Sequence, residues 1–454
     1  MNREDALELG RGRSAPDERA SAGQGSRFYW LLTALAALAC TSSGVGLAAL
    51  SFAMPGMRRE WGLEPSDLGQ ITASVAVGMV FGSLLIGWLA DRCGRRLAFS
   101  GTMALMGLAM GLASLAPNPL ALTVLLCVSG LGASGVPSIA AALLSEFVPP
   151  RFRGPALAWT QVTWSVGWCG VAAAGMGLTA SVGWRAILAI GAAPLVLAIV
   201  SAKVTPESPR FLLAHGRRAE AEAVIRDLET RYGVRLALPE QQRADRRPSP
   251  LRNLRELWGS AFRRQTLTLW VVWFAMIANF SGPIVWLPTI LFSMTGSDAE
   301  AARLSFIVSL WMVPASVIAL LFIERLGRRP LLLVSLGVSA GGMIVLALAS
   351  SSLAVILGGG AVTGGLQSAW PVVLGYSAEL YPTRLRATAA GWAGAFARAG
   401  GIVAPLLLAL LIQSRGSGLT VALGVFAALL IIAALLVAVA GRETSGRTLE
   451  ELSG

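Results

Sequence analysis

The sequence has few charged residues, a single lysine and a single histidine. Only 14% of its 454 residues are charged and 55% are hydrophobic, whereas about 25% of the residues of ordinary soluble proteins are charged. Because Lys203 is the only lysine, the G-x-x-x-x-G-K-[ST] loop of a primary pump is absent. His215 lies in a polar segment, where a solvated side chain is a simpler interpretation than a metal ligand. These shortages exclude a soluble enzyme of the usual kind.

Cysteine is also scarce, and its four residues lie in or beside apolar segments without paired spacing. They are Cys40, Cys93, Cys127 and Cys169. Neither a disulfide framework nor a zinc site is indicated. A zinc-protease motif of the His-Glu-x-x-His type and paired carboxylates within apolar segments are absent as well. The sequence therefore predicts no cofactor, no metal and no enzymatic activity.

The net charge of +12 does not indicate a nucleic-acid partner. The arginines sit at the ends of apolar segments and form no basic face with interleaved aromatic residues. The lipid bilayer is the partner that such a distribution favours.

Long apolar segments dominate the chain. A helix needs about 20 apolar residues to cross the hydrocarbon layer of about 30 Å. Lipid offers the backbone no hydrogen bonds and no barrel-like alternation occurs, so helices are expected. The sequence predicts an all-α integral membrane protein with twelve transmembrane helices, at 28–54, 67–90, 97–116, 119–144, 156–179, 184–202, 266–292, 303–323, 330–350, 353–378, 387–413 and 418–440.

The basic residues predict the orientation, because cytoplasmic loops retain positive charge. With both termini in the cytoplasm, all but six of the 37 basic residues lie on the cytoplasmic side. The exceptions are Arg58, Arg59, Arg185, Arg303, Arg415 and, within a span, Arg398. The predicted regions are a cytoplasmic tail without a removable signal at 1–27, a six-helix half at 28–202, a cytoplasmic central loop at 203–265, a second six-helix half at 266–440 and a cytoplasmic tail at 441–454.

An internal repeat relates the two halves. The loop at 91–96 reads D-R-C-G-R-R, and the loop at 324–329 reads E-R-L-G-R-R, 233 residues later. Glu146 and Glu379 keep the same step of 233. One register held over two loops indicates tandem six-helix units, related by a pseudo-twofold axis with a cavity between them.

At these residues the chain resembles the major facilitator superfamily over nearly its whole length. Residues 87–96, G-W-L-A-D-R-C-G-R-R, are similar to its signature between spans two and three. Residues 206–210 and 446–451 resemble the sugar porters. Residues 378–387 and 52–55 resemble the aromatic-acid/proton symporters and nicotinate-type carriers, the branch we favour. The resemblance implies a monomeric carrier in the cytoplasmic (inner) membrane.

The resemblance also implies a conformational latch at the cytoplasmic helix ends. Acid and arginine clusters there would join the halves while the outside is open and would separate as the halves rock. The alternative is that the arginines only fix the topology. The latch residues would be Asp91, Arg92, Gly94, Arg95, Glu146, Arg153, Glu324, Arg328, Glu379 and Arg386.

Arg398 is the one ionisable residue near the middle of a predicted span. An arginine at the membrane midplane costs about 2.5–3.5 kcal/mol on insertion scales and usually faces a cavity or a partner. No Asp or Glu lies deep in a span, so a substrate carboxylate is the natural counter-charge. The sequence therefore predicts a small organic anion as substrate. The alternative is a guanidinium that reaches backbone carbonyls at a helix break near Gly400 and Gly401.

Polar and aromatic residues near the span centres are candidates for lining the cavity. Organic ligands are held by aromatic walls with a few polar groups. Packing within the helix bundle is the alternative for each of them. The candidate binding residues, besides Arg398, are Gln161 and Trp164 in the fifth span, Asn279 in the seventh, and Gln367 and Trp370 in the tenth.

Energy coupling is where the sequence departs from the acid symporters. Those carriers have aspartates in span one and an arginine in span four, where Ser43, Gly46 and Leu126 stand here. Proton symport is expected by family analogy alone. An uncoupled carrier, an exchanger or an exporter remains open, a sugar or polyol porter is the second candidate, and a sensor without transport would share the fold.

Overall fold

A computed structural model describes residues 26–233, 238, 250–413 and 417–444. Every regular element in these ranges is a helix. Spans 1 to 6 are Ser26–Trp61, Pro65–Cys93, Arg95–Ala113, Pro119–Phe147, Pro150–Ser181, and Trp184–Ile190 with Pro194–Val204. Spans 7 to 12 are Arg263–Asn279 with the π-helix Phe280–Ile284 and Leu287–Thr295, Asp298–Ser309 with Met312–Leu326, Arg328–Ala347, Ser352–Glu379, Thr383–Gln413 and Gly418–Ala440.

Within these residues, eleven helices are long and apolar enough to cross a membrane. Span 5, with 32 residues, completes the set of twelve. The predicted all-α fold with twelve spans in two six-helix halves is confirmed. The boundaries of the predicted regions remain predictions.

The helix ends follow local sequence signals. Proline at the first helical position begins spans 2 and 4, where its missing N–H costs nothing. The side chain of Asn118 accepts a hydrogen bond from Ala121 N and caps span 4. Span 1 continues to Trp61, beyond its predicted end, because hydropathy marks only the part of a helix inside the hydrocarbon.

Small residues allow the helices within each half to approach closely. A Cβ atom on Gly78 would overlap the carbonyl oxygen of Cys127, and one on Gly130 would overlap that of Val75. Spans 2 and 4 therefore pack backbone to backbone at these glycines, as small residues permit between membrane helices.

Three shorter helices, Pro209–Ala214, Arg218–Tyr232 and Pro250–Leu257, lie in the central segment. The second is exposed on one face, where its Glu222 pairs with Arg218 at 3.0 Å. His215 faces the carbonyl of Phe211 through Nδ1. The predicted tails, apart from residues 26, 27 and 441–444, lie outside the described residues, and so does most of 234–249.

An even number of spans places Ser26 and Ala440 on one side of the bundle, here named the terminal side. On the other, opposite side, hydrogen bonds join the two halves. Ser51 Oγ donates to Val285 O at 2.5 Å, Trp286 Nε1 donates to Thr72 Oγ1 at 3.3 Å, and an ion pair joins Arg59 and Asp298.

On the terminal side, the hydrogen bonds and ion pairs found among the described side chains stay within one half or reach the central segment. Examples are the pairs Arg95 with Glu146, and Arg384 with Glu256. The space between the halves is therefore closed on the opposite side in this conformation.

Candidate functional site

Arg398 lies at the midpoint of span 11, half-buried between the two halves. Its Nε donates to the carbonyl of Met79, at the midpoint of span 2, at 3.2 Å. Its Nη1 donates to the carbonyl of Gly394 at 3.0 Å. No carboxylate among the described residues lies within ion-pair distance of the guanidinium. Backbone carbonyls are therefore its protein partners at the membrane midplane.

These two hydrogen bonds leave part of the guanidinium free for a ligand. An arginine has five N–H donors in a rigid fork, of which two are used here. Both N–H groups of Nη2 and one of Nη1 remain, and these two nitrogens form the end of the fork that binds both oxygens of a carboxylate. By donor count, the guanidinium can therefore bind an anion without loss of these two contacts.

The alternative interpretation of Arg398 was a guanidinium that reaches backbone carbonyls at a helix break, and the structure agrees with only the first of these two features. Carbonyl partners are present, but the helix continues unbroken through Gly400 and Gly401. A Cβ on Gly400 would lie 2.7 Å from Phe274 O in span 7, and one on Gly401 would lie 3.1 Å from the Cβ of Ala76 in span 2. These glycines therefore serve the close packing of span 11 against both neighbours.

An aromatic cluster joins the halves near the midplane. Trp164 stacks on Trp168 with ring centroids 5.7 Å apart, and both contact Phe280 of span 7, at 5.5 and 5.2 Å. Trp168 Nε1 also donates to Ser309 of span 8. Gln161, one helical turn nearer the terminal side, is half-buried and makes no side-chain hydrogen bond to a described residue. Trp164 and Gln161 thus lie beside the closed end of the space between the halves.

In span 10, Trp370 is half-buried and contacts Trp273 of span 7 edge-on, with centroids 5.7 Å apart. Gln367, one turn away, is 6% exposed. No hydrogen bond of its amide to another described residue is found. The structure brings Trp370 against span 7 and leaves the amide of Gln367 available.

Among the candidate binding residues, Asn279 forms its side-chain hydrogen bonds inside its own half. It is fully buried, and its Nδ2 donates to Ala275 O at 2.9 Å and to Phe426 O of span 12 at 3.3 Å. Its Oδ1 is buried without a partner in the described part of the chain. The amide faces span 12, and Asn279 makes no contact with Arg398 among those described.

A recess that the sequence did not predict opens between spans 1 to 4. Its volume is about 20 Å³, room for about one water molecule. Ser43, Gly46 and Leu126, the positions at which the resemblance to acid symporters implies charges, all line it. Met79, whose carbonyl accepts the hydrogen bond from Arg398, also lines it. Met79 comes from span 2 and Met106 and Met110 from span 3, so the three form no local motif in the sequence.

The terminal-side cluster of the first half centres on Glu146. Arg95 Nε lies 2.8 Å from its carboxylate, and Ser208 Oγ donates to it. Glu207 accepts the backbone N–H of Arg95 at 2.7 Å. Gly94, with φ of 94°, is required there, because a Cβ would overlap the carboxylate of Glu207.

The second half repeats this arrangement around Glu379. Arg328 Nη2 lies 3.2 Å from its carboxylate, and Thr444 Oγ1 donates to it. Glu443 accepts the backbone N–H of Arg328 at 3.0 Å, beside Gly327, whose φ is 86°. Glu207 and Glu443 were not predicted; a glutamate before a hydroxyl residue after spans 6 and 12 is the signal that could have found them.

The remaining latch candidates have other surroundings. Asp91 is exposed and has no ion pair with a described side chain, and Arg92 lies over the ring of Trp88 at 4.4 Å. Arg153 Nε donates to Val148 O at 2.8 Å. Arg386 Nε is buried without a partner among the described groups. The side chain of Glu324 lies outside the described part.

The sequence matches the sugar (and other) transporter family over residues 36–454. The chain belongs to this family. It is a transporter of the major facilitator superfamily and not an enzyme, so both predictions are confirmed. The match includes both six-helix halves.

Curated relatives cover almost the whole transporter. The niacin transporter NiaP of Acinetobacter baylyi is 29% identical over 94% of this chain and 97% of its own. The 4-hydroxybenzoate transporter PcaK of Pseudomonas aeruginosa is 27% identical over 83% of this chain and 85% of its own.

The inward-open structure of the xylose transporter XylE from E. coli has the same fold as this transporter. Its TM-score is 0.74 at 18% identity, over 93% of this chain and 99% of that chain. At this identity the likeness is one of fold.

Proposed function

We propose that this transporter moves small aromatic carboxylates across the cytoplasmic membrane by alternating access. The observation that carries the proposal is the guanidinium of Arg398, held at the midplane by two carbonyls with no acid partner among the described residues. An anionic substrate supplies the missing charge through the free end of the fork. The relatives named for niacin and 4-hydroxybenzoate, both aromatic acids, support this substrate class.

We assign the terminal side to the cytoplasm, because most of the basic residues lie there. The conformation closed on the opposite side is then inward-open. Gln161, Trp164, Gln367 and Trp370 would face the substrate path, with aromatic walls and free amides as organic ligands require.

The clusters around Glu146 and Glu379 would form the inner latch. In the inward-open conformation their ion pairs stay within each half. Closure on the cytoplasmic side would bring Arg153 of the first half toward Glu379, and Arg386 of the second half toward Glu146. Opening would separate these residues again. The transporter would do this as a monomer.

Uptake into proteoliposomes tests the substrate class. Radiolabelled nicotinate should enter, and benzoate and 4-hydroxybenzoate should compete. Nicotinamide, which has the same ring without the negative charge, should not compete. Arg398→Gln should abolish uptake, whereas Arg226→Gln, on an exposed surface helix, should not change it. Competition by xylose or glucose instead of the acids would favour the sugar-porter alternative.

Proton coupling rests on family analogy and needs a separate measurement. If protons enter with the substrate, adding nicotinate outside energy-free proteoliposomes should raise the external pH. Uptake without this change would indicate an uncoupled carrier or an exchanger.

A further inference from the structure

An apolar groove lies between spans 9 and 12 of the second half. Its volume is about 390 Å³, more than twice that of the apolar cavity of about 150 Å³ that binds benzene. Every residue that lines it is aliphatic or glycine, with Leu333 and Ile344 on span 9 facing Ile431 and Leu435 on span 12. Spans 9 and 12 pack mainly against spans of their own half. The groove therefore opens to the surrounding hydrocarbon and not to the space between the halves.

Two exposed glycines, Gly337 and Gly341, form the floor of the groove on span 9. A Cβ atom on either of them would meet no other atom within 4 Å. The step of 233 residues places Ala104 and Leu108 at the corresponding positions of span 3, and Leu108 is 52% exposed. The first half thus carries side chains where the second half has none, so the groove is a feature of one half.

The length and polarity of the groove match one acyl chain. From Leu333 to Ile344 a helix rises about 16 Å, and one leaflet is about half of a hydrocarbon layer of about 30 Å. The hydrocarbon region holds no water that could fill the groove. An unfilled groove would lose dispersion contacts along its walls. A lipid tail is the occupant that supplies these contacts.

Arg329 stands at the terminal-side end of the groove. It lies four residues before Leu333, on the same face of span 9. Its Nε donates to Val437 O at 3.3 Å, and its Nη2 donates to the carbonyl of Ala438, which lines the groove. Glu443 accepts the backbone N–H of Arg329 at 3.1 Å, and no described carboxylate forms an ion pair with its guanidinium. Three of the five guanidinium N–H groups remain for a further acceptor.

We propose that the groove binds one acyl chain of a phospholipid from the terminal-side leaflet, and that Arg329 binds the phosphate of that lipid. The planar guanidinium suits a phosphate, and basic pockets between membrane helices bind lipid head groups. The chain lies along Gly337 and Gly341 while the phosphate accepts the free N–H groups of Arg329. This lipid site lies on the outer surface of the second half, apart from Arg398 and the transported substrate.

Gly337→Leu tests the groove, because the added side chain occupies the place of the lipid tail. Native mass spectrometry of the detergent-purified transporter, titrated with phosphatidylglycerol, measures the affinity of each bound lipid. We expect at least about fivefold weaker binding of the tightest lipid in Gly337→Leu, as overpacking of a filled site costs. Gly424→Leu is the matched control. It adds the same side chain at another exposed glycine with open space, on span 12 but outside the groove, and should bind like the parental protein.

Diacylglycerol with the same acyl chains tests the phosphate contact, since it lacks the phosphate. The parental transporter should bind phosphatidylglycerol about tenfold or more tightly than diacylglycerol, as a hydrogen bond from a charged donor contributes. Arg329→Gln should remove this difference, and Gly337→Leu should weaken the binding of both lipids.

Three results would overturn the proposal. Unchanged phosphatidylglycerol binding in Gly337→Leu would exclude the groove as the lipid site. Equal affinity of the parental transporter for the two lipids would exclude the phosphate contact, whether or not Arg329→Gln folds. A dimer of the parental transporter that disappears in Gly337→Leu would show that a second copy covers the groove, because glycines four residues apart also permit close helix association.

Discussion

Replacing Arg398 with methionine should remove ligand binding without unfolding the transporter. The change deletes hydrogen bonds to the carbonyls of Met79 and Gly394, and each bond from a charged donor contributes about 1.5–3 kcal/mol. It also deletes a cation whose placement in the membrane interior costs about 2.5–3.5 kcal/mol. These effects oppose each other, so the free energy of unfolding should fall by less than about 4 kcal/mol.

Thermal unfolding in detergent, with and without nicotinate, measures both effects. Ligand at 100 times its Kd adds about 2.7 kcal/mol to the stability of the protein that binds it. The melting temperature of the parental protein should rise by a few degrees, and that of Arg398→Met should not. Arg226→Met, on the exposed surface helix, is the control and should keep the rise. A variant that retains the full rise, or one that does not fold, would refute the reasoning.

Two further predictions concern the terminal side. Gly94→Ala should destabilise the transporter by about 1–3 kcal/mol, since it forces a residue with a Cβ into a glycine-only conformation and against Glu207; Gly87→Ala, with open space around its Cβ, should keep the parental melting temperature. The hydrogen bond from Arg384 holds the pKa of Glu256 below its ordinary value. The stability that the pair contributes is therefore fully present at pH values above the ordinary pKa of a glutamate, and it is lost only as the pH falls through the lowered pKa. The difference in melting temperature between the parental protein and Arg384→Ala should therefore stay constant from pH 5 to 8, and a difference that shrinks in this range would contradict the assignment.

The fold could be predicted because hydropathy is a property of consecutive residues. Twelve apolar segments are readable one at a time, and the step of 233 residues relates their loops. The break at Phe280–Ile284 was not predicted, since Pro283 alone does not reveal whether a membrane helix bends, widens or continues. Packing against neighbouring spans decides that.

The site could be predicted only where one residue carries the argument. Arg398 could be identified because a charge at the membrane midplane is costly whichever way the side chain points. Asn279 has the right type and depth, but a sequence does not specify which face of span 7 meets span 12. The recess of Met79, Met106 and Met110 depends on four helices meeting in space, so no single segment signals it.

The position of Arg398 between the halves, with no acid partner among the described residues, has a consequence for turnover. An empty carrier holds an unneutralised positive charge in a region of low dielectric constant, whereas a carrier loaded with a carboxylate is locally neutral. Reorientation should therefore be easier with cargo than without it. Acid trapped inside vesicles would then accelerate the entry of labelled acid, and one-for-one exchange would outpace net accumulation.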